Sequence, residues 1–147
     1  MDRVGNRQRV DIPFYFTGGL KTKGCYMTKK NLIIDDEIDV VKMLVYRIKA
    51  KGHEVLTAAK GKDGINIAEA NRPNLILLDY ILPDMKAADV SKQIKENDIL
   101  KSVPIILITA SIDDIATKAK ECGATDYIGK PIERDILYDK IEKYLQA

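Results

Sequence analysis

The sequence predicts an α/β fold in which a five-stranded parallel sheet carries helices on both faces. Three observations support this prediction. Five short apolar segments alternate strictly with five segments of helical periodicity. Several of the apolar segments lack polar alternation, which is typical of strands buried on both faces. Polar residues recur where these segments end. The alternation favours parallel pairing through right-handed crossovers, and we expect the strand order 2-1-3-4-5, in which strands 1 and 3 flank the switch point.

Three of the predicted strands lie in the first half of the domain. The pattern becomes regular at Lys30, and residues 31–34 form the first strand. The helix that follows ends at Gly52. Residues 53–58 are more polar, as expected for a strand near the sheet edge. A second helix over residues 61–71 precedes a strand that ends at Asp79. The apolar stripe of the first helix, with three- and four-residue spacings, comprises Ile38, Val41, Val45 and Ile48.

The second half continues the same alternation. A third helix is predicted over residues 87–96, and a fourth strand over residues 103–108. Ser111 is predicted to be the N-cap of the fourth helix, which ends near Cys122. Residues 125–128 form the last strand, and residues 133–145 form the final helix. We expect the inner face of that helix to contain Ile136, Leu137, Ile141 and Leu145.

Composition excludes several classes of protein. The chain has 147 residues, of which 46% are hydrophobic and 31% are charged, so we expect one globular domain rather than a disordered chain. No apolar run approaches the length of a membrane span. A net charge of +2 is too balanced to indicate nucleic acid binding. Cys25 and Cys122 form neither a disulfide framework nor a metal-ligand spacing, which predicts a reducing, cytoplasmic setting.

Residues 1–26 differ from the rest of the chain. They contain five Lys or Arg and two Asp or Glu, whereas the remainder contains 19 basic and 20 acidic residues. Their apolar patch, residues 12–16, is too short for a signal peptide. We therefore divide the chain into a leader, residues 1–26, that is foreign to the fold, and a domain over residues 27–147. The alternative is that the leader is a basic arm that docks on a partner.

Polar side chains follow four of the predicted strands at their carboxyl ends, where ligands bind in such sheets. Asp35 and Asp36 follow the first strand, Asp79 the third, Thr109 the fourth and Lys130 the fifth. Three converging carboxylates repel one another and suit Mg²⁺, a cation that prefers oxygen ligands. A lysine supplies a point charge suited to a phosphoryl group. A carboxylate nucleophile, a metal and a lysine together suggest transfer of a phosphoryl group onto Asp79.

From Lys30 to Leu145 the chain resembles the receiver domain of two-component response regulators. The matching residues, in the family's order, are Asp35-Asp36, Asp79 within LLDYILPDM, Thr109-Ala110, Tyr127 and Lys130-Pro131. The resemblance implies a flavodoxin-like receiver fold with the strand order given above. It also implies that Asp79 accepts a phosphoryl group from the phosphohistidine of a sensor histidine kinase or a histidine phosphotransfer protein.

The resemblance implies roles for the other site residues. Asp35, Asp36 and Asp79 would surround Mg²⁺, with Asp36 favoured as a direct ligand and the backbone carbonyl of Ile81 as a further one. In the family the lysine neutralises the phosphoryl group, the threonine donates a hydrogen bond to it, and the Lys-Pro bond is often cis. These statements apply here to Lys130, Thr109 and Pro131.

Tyr127 matches the family's aromatic switch position. When the Thr109 hydroxyl is drawn to the phosphoryl group, the ring would turn inward and bias the surface of helix 4, strand 5 and helix 5. Besides Tyr127, that surface would include Ile112, Ile115, Lys118 and Lys120, and the two lysines by themselves indicate only a solvated helix face.

One departure concerns the turn into the third helix. The family usually has Asp-Gly there, and this chain has Lys86-Ala87, which would be awkward if the backbone needed positive φ.

The leading hypothesis is a single-domain response regulator, a signalling module rather than an enzyme. Only 17 residues follow Lys130, so we expect no attached DNA-binding or catalytic domain. The output would be binding to an unknown partner in trans or a phosphorelay, with no contact to nucleic acid or membrane. Residues Ile81 and Ser111 offer no obvious group to orient an attacking water, which predicts a long-lived aspartyl-phosphate.

Two other classes compete with this hypothesis. An aspartyl-phosphate phosphohydrolase commonly needs a second acid two residues after the nucleophile, where this chain has Ile81. The only histidine, His53, begins the second strand at the opposite end of the sheet, and we expect it to be exposed. A flavodoxin-like cofactor binder would need a phosphate-binding loop after the first strand, where Asp35-Asp36-Glu37 would repel an anion.

Overall fold

Residues 28–146 are described by the computed structural model, so the predicted leader and the boundary at residue 27 lie outside the described residues. The described part contains five strands and five helices in alternation. The strands are β1 (Lys30–Ile34), β2 (Glu54–Ala58), β3 (Leu75–Asp79), β4 (Ile105–Thr109) and β5 (Asp126–Gly129). The helices are α1 (Ile38–Ala50), α2 (Gly61–Asn71), α3 (Ala87–Lys95), α4 (Ile115–Glu121) and α5 (Arg134–Leu145).

The five strands form one parallel sheet in the order β2-β1-β3-β4-β5, which confirms the predicted topology. Side chains alternate across the sheet, so each central strand supplies two cores. In β3, Ile76 and Leu78 belong to the core beneath α2, α3 and α4, while Leu75 and Leu77 belong to the core beneath α1 and α5. All five residues of β3 and of β4 are buried, which explains why the first four residues of each strand are apolar.

The predicted inner faces of α1 and α5 each include one isoleucine, near the start of the helix, that is exposed in the structure. Ile38, the first residue of α1, is 68% exposed. The buried residues of that helix are Leu44 and Ile48. In α5, Ile136 is 43% exposed, whereas Leu137, Ile141 and Leu145 are buried. Residues four apart share one face of a helix, and Ile136 is rotated away from that face.

The start of α4 differs from the sequence prediction. The helix begins at Ile115, and its N-cap residue is Asp114, which has a φ of 57° and makes no side-chain capping hydrogen bond. Ser111 is instead held in the preceding loop, where its N–H donates to Thr109 Oγ1 at 3.1 Å. Its hydroxyl accepts a hydrogen bond from Lys118 Nζ at 2.7 Å. Lys118 is therefore engaged with this loop rather than freely solvated.

His53 is half-buried rather than exposed. Burial, with the charges of Lys29 and Lys51, lowers the pKa of its imidazole below the ordinary value.

Between residues 28 and 146, no helix combines the length and hydropathy that a bilayer crossing requires.

Candidate functional site

Three carboxylates meet at the carboxyl edge of the sheet. Asp35 follows β1 directly, and its backbone N–H donates to Ala58 O at 3.0 Å. Asp36 is exposed, and Asp79, the last residue of β3, is buried. One carboxylate oxygen from each of Asp35, Asp36 and Asp79 lies within 4.8 Å of the others. The strand ends therefore bring together the three acids that the sequence predicted would converge.

Lys130 follows β5 and extends across this acidic cluster. Its Nζ lies 3.4 Å from Asp35 Oδ2 and 3.4 Å from Asp79 Oδ1. It also forms an ion pair and hydrogen bond with Glu37 Oε1. The Lys130 backbone N–H donates to Thr109 O at 2.8 Å, and the following Lys130-Pro131 peptide bond is cis, as in many members of the family that the sequence resembles.

Burial and neighbouring charge change the acidity of these groups. The pKa of Asp79 is raised to about 6, chiefly because the carboxyl group is buried and also because Asp35 is negative, while Lys130 acts in the opposite direction. Burial alone would lower the pKa of Lys130, but its hydrogen bond with Glu37 and the charges of Asp79 and Asp35 raise it. The lysine therefore remains a cation, and the Asp79 carboxylate is more basic than that of an ordinary aspartate.

The donor set fits a hard divalent cation. Asp35 Oδ1 accepts the N–H of Glu37 at 2.9 Å, whereas the buried Asp35 Oδ2 accepts no hydrogen bond from any residue within the described range 28–146. The Lys130 ammonium, 3.4 Å from Asp35 Oδ2, partly offsets the cost of burying this charge, and three clustered carboxylates leave further negative charge for a divalent cation to balance. Mg²⁺ prefers oxygen ligands and keeps part of its water shell. The three carboxylates supply such oxygens, and the exposed Asp36 leaves one side of the cluster open to water. Asp35, Asp36 and Asp79 are therefore compatible with a magnesium site.

Thr109 is placed beside the acidic cluster by strand pairing. It is the buried last residue of β4, and its neighbour Ile108 lies opposite Asp79 in the parallel register. In this structure Thr109 Oγ1 accepts the Ser111 N–H, so the hydroxyl oxygen is engaged with the loop between β4 and α4. The side chain that the sequence predicted as a phosphoryl ligand is therefore also an anchor of that loop.

Tyr127 lies in β5 and is 37% exposed. Its ring lies beneath Lys140 Nζ, which is 5.5 Å from the ring centroid. The same ammonium donates to Asp126 Oδ1 at 2.7 Å, and the Tyr144 hydroxyl donates to Asp126 Oδ2 at 2.8 Å. The aromatic side chain is thus on the outer surface, in contact with α5, in this structure.

The loop between β3 and α3 does not need the glycine that the sequence lacks. Ala87, at the position of that glycine, is the first residue of α3 and is not among the residues of positive φ in the described range 28–146. Lys86 before it has a φ of −76° and a ψ of 145°, which any side chain adopts. It pairs with Ile81 in an isolated antiparallel bridge, and the Ile81 side chain is 72% exposed. The role of the Ile81 carbonyl as a metal ligand stays a prediction.

Asp84 is a structural residue of this loop that sequence reasoning missed. Its carboxylate accepts the backbone N–H groups of Gly61 at 2.8 Å and Lys62 at 3.0 Å. These are unpaired donors at the start of α2, whose own N-cap residue, Lys60, provides no side-chain hydrogen bond. The bonds from Lys62 and Gly61 lower the pKa of Asp84. No local pattern signals a cap that comes from more than 20 residues away.

Glu37 is the second missed residue. From sequence, Glu37 is only a negative charge after β1, whereas in the structure its carboxylate is bound to Lys130. A signal was available, because glutamate is not among the residues preferred at an N-cap, and Glu37 occupies the N-cap of α1.

Comparisons with known proteins agree with this geometry. The sequence model of the response regulator receiver domain family matches residues 32–142. The alkaline phosphatase synthesis transcriptional regulatory protein PhoP of Bacillus subtilis is 36% identical over 106 residues, which cover 71% of this chain and 43% of PhoP. The polar-differentiation response regulator DivK of Brucella anthropi is 31% identical over 120 residues, which cover 81% of this chain and 98% of DivK.

Several of these relatives are longer than the matched region. The chain spans half or less of the length of PhoP, of the transcriptional regulatory protein AfsQ1 of Streptomyces coelicolor and of the probable transcriptional regulator ycf27 of Cyanophora paradoxa. By contrast, it spans nearly all of DivK.

Solved structures show the same fold. A putative response regulator from Chloroflexus aurantiacus superposes with a TM-score of 0.77 at 29% identity, covering 82% of this chain and all of that one. The receiver domain of the sensor histidine kinase PA1611 from Pseudomonas aeruginosa superposes with a TM-score of 0.76 at 23% identity, covering 82% of this chain and all of that one. The PA1611 structure is described as having a magnesium ion coordinated in its active site cleft.

Proposed function

Because this chain belongs to the response regulator receiver domain family, we propose that it receives a phosphoryl group on Asp79 and signals by the resulting change of state. The observation that carries this proposal is the position of Lys130, whose ammonium lies 3.4 Å from Asp79 Oδ1 and 3.4 Å from Asp35 Oδ2. A cation held against a basic, buried carboxylate can neutralise the charge that a phosphoryl group brings.

The chemistry of the step follows from the groups present. A carboxylate oxygen of Asp79 attacks the phosphorus of the donor's phosphohistidine, a new P–O bond forms, and the P–N bond breaks. The electron pair returns to the donor's imidazole nitrogen. Bound by Asp35, Asp36, Asp79 and the Ile81 carbonyl, Mg²⁺ would supply positive charge against the phosphoryl oxygens. The Lys130 ammonium would stabilise the same phosphoryl oxygens.

Signal output rests on Thr109 and Tyr127. When the Thr109 side chain moves to donate its hydroxyl hydrogen to the phosphoryl group, the Ser111 N–H that this oxygen accepts is drawn with it, and the loop before α4 rearranges. Tyr127 then exchanges its contact with Lys140 for an inward position. The surface that changes is formed by α4, β5 and α5, and it would bind a partner in trans.

The phosphodonor is a sensor histidine kinase or a histidine phosphotransfer protein, and the setting is cytoplasmic. The phosphoryl group either stays on Asp79 while a partner binds or passes to a second histidine protein. Incubation of the phosphorylated protein with a histidine phosphotransfer protein distinguishes these outcomes, because only a relay transfers the label.

Phosphorylation by acetyl phosphate tests the proposal directly. We expect wild-type protein in Mg²⁺ to gain one phosphoryl group by intact-mass measurement and Asp79→Asn to gain none. Asp98→Asn is a matched control, because Asp98 is exposed and its ion pair with Lys101 is a surface one. Chelation of Mg²⁺ should prevent the gain without unfolding the protein. Equal phosphate uptake by wild type and Asp79→Asn would remove the central claim.

A further inference from the structure

Glu37 is at the N-cap position of α1, but its side chain does not cap the helix. It is the N-cap residue of α1, where Ser, Thr, Asp or Asn would normally accept a hydrogen bond from the first turn. Its side chain makes no such capping bond. A residue that breaks a local preference without local compensation is expected where function imposes the choice.

The Glu37 carboxylate is instead bound to the ammonium of Lys130, a residue 93 positions later in the chain. Lys130 faces three carboxylates, and its contact with Glu37 is closer than the 3.4 Å separations from Asp35 and Asp79. The Glu37 side chain is 56% exposed, whereas those of Asp35 and Asp79 are buried. The closest partner of the lysine is therefore the one that can move into solvent.

We propose that Glu37 is a positioning residue that holds Lys130 before phosphorylation and competes with the incoming phosphoryl group for its ammonium. This inference rests on the proposed phosphorylation of Asp79. Lys130 has only three N–H donors, and the bond with Glu37 occupies one that a phosphoryl oxygen would otherwise accept. Glu37 also places an additional negative charge beside the route of an anionic donor. Both effects slow phosphoryl transfer to Asp79. When the transfer occurs, Glu37 is released from Lys130.

Removal of the Glu37 charge should therefore speed phosphorylation. At saturating Mg²⁺, we expect Glu37→Gln to take up phosphoryl groups from acetyl phosphate about two- to five-fold faster than wild type, the range set by an exposed ion pair. Glu37→Asp keeps the charge and is a better N-cap, but its shorter side chain holds the carboxylate farther from Lys130. We expect it also to be faster, although less so than Glu37→Gln.

A double-mutant cycle separates this role from a structural one. In a Lys130→Ala background the Glu37→Gln change should accelerate phosphorylation clearly less than it does with Lys130 present, because only the removal of charge beside the donor's route remains. Glu69→Gln removes the same charge from an exposed position near the end of α2, and its rate should equal that of wild type. Isothermal titration calorimetry with Mg²⁺ alone should give wild-type affinity for Glu37→Gln.

Three outcomes would overturn the inference. They are a rate for Glu37→Gln equal to or below that of wild type, the same acceleration with and without Lys130, and an acceleration that disappears at saturating Mg²⁺. Failure of wild type itself to take up phosphoryl groups would instead refute the proposed function. The two failures are therefore distinguishable in one set of reactions.

Discussion

Gly64 should be one of the few helical glycines whose replacement by alanine destabilises the protein. It lies inside α2, where alanine normally gains about 1 kcal/mol over glycine. A Cβ at this position, however, would lie 2.5 Å from Ile34 Cδ1 and 2.7 Å from Ile34 Cγ1. Ile34 is fully buried at the end of β1, opposite Ala58 and Leu78, so it has little room to move.

The magnitude follows from these two opposing effects. Overpacking of a filled core costs about 1–3 kcal/mol, which exceeds the gain in helix propensity. We expect Gly64→Ala to lower the free energy of unfolding by about 1 kcal/mol, measured by urea denaturation with an unchanged m value. Asn66→Ala, at an exposed position of the same helix, is the matched control and should raise it by about 0.5 kcal/mol.

A second background tests the contact itself. Ile34→Val removes the Cδ1 atom that the new Cβ approaches most closely. Gly64→Ala should therefore cost at least about 0.5 kcal/mol less in the Ile34→Val background than in wild type. Stabilisation by Gly64→Ala in the wild-type background, or the same cost in both backgrounds, would refute the packing explanation.

Three further predictions concern the core, the α5 surface and the phosphorylated state. Leu77→Ala, in the centre of β3, should lower the free energy of unfolding by about 2–5 kcal/mol in urea denaturation, whereas Ile99→Ala at an exposed position should change it by less than about 0.5 kcal/mol. Burial acts to raise the pKa of Asp126, but hydrogen bonds from the Lys140 and Tyr144 side chains outweigh it and lower the pKa. This carboxylate therefore stabilises the fold above about pH 4, and the stabilisation is lost as the pH falls through the pKa of the folded state. Asp126→Asn should therefore cost about 1–2 kcal/mol at pH 7, and the difference from wild type should shrink as the pH falls below about 4; a difference that is independent of pH would contradict the assignment. Finally, the aspartyl-phosphate should outlast seconds in the purified protein and Ile81→Asn should shorten its lifetime, as measured by loss of phosphate mass, because Ile81 offers no group to orient water; an unchanged lifetime would count against this explanation.

The order of the strands and the convergence of Asp35, Asp36, Asp79 and Lys130 were predictable from sequence. Strict alternation of strands and helices leaves few topologies, and parallel strands place all their carboxyl ends at one edge. The residues that follow those strands must therefore be neighbours, however far apart they lie in the chain. The same logic placed Thr109 beside Asp79.

Contacts between loops were not predictable in this way. The Asp84 carboxylate caps α2, and Ser111 is bound by Thr109 and Lys118 instead of beginning α4. Both arrangements pair groups from separate elements, and nothing in the local sequence specifies which loop meets which helix. The exposure of Ile38 is similar, because the spacing of an apolar stripe does not reveal which of its residues other elements cover.

By itself, the sequence determined the α/β class, the family to which the chain belongs and the set of charged residues at the strand ends. The periodicity of each segment and the polar residue at its end can be read locally along the chain. Because parallel strands have their carboxyl ends at one edge of the sheet, these residues form one site. Only the tertiary structure decided how Lys130 divides its contacts between Glu37, Asp35 and Asp79. That division depends on side-chain reach and burial across the sheet edge, which no spacing along the chain encodes.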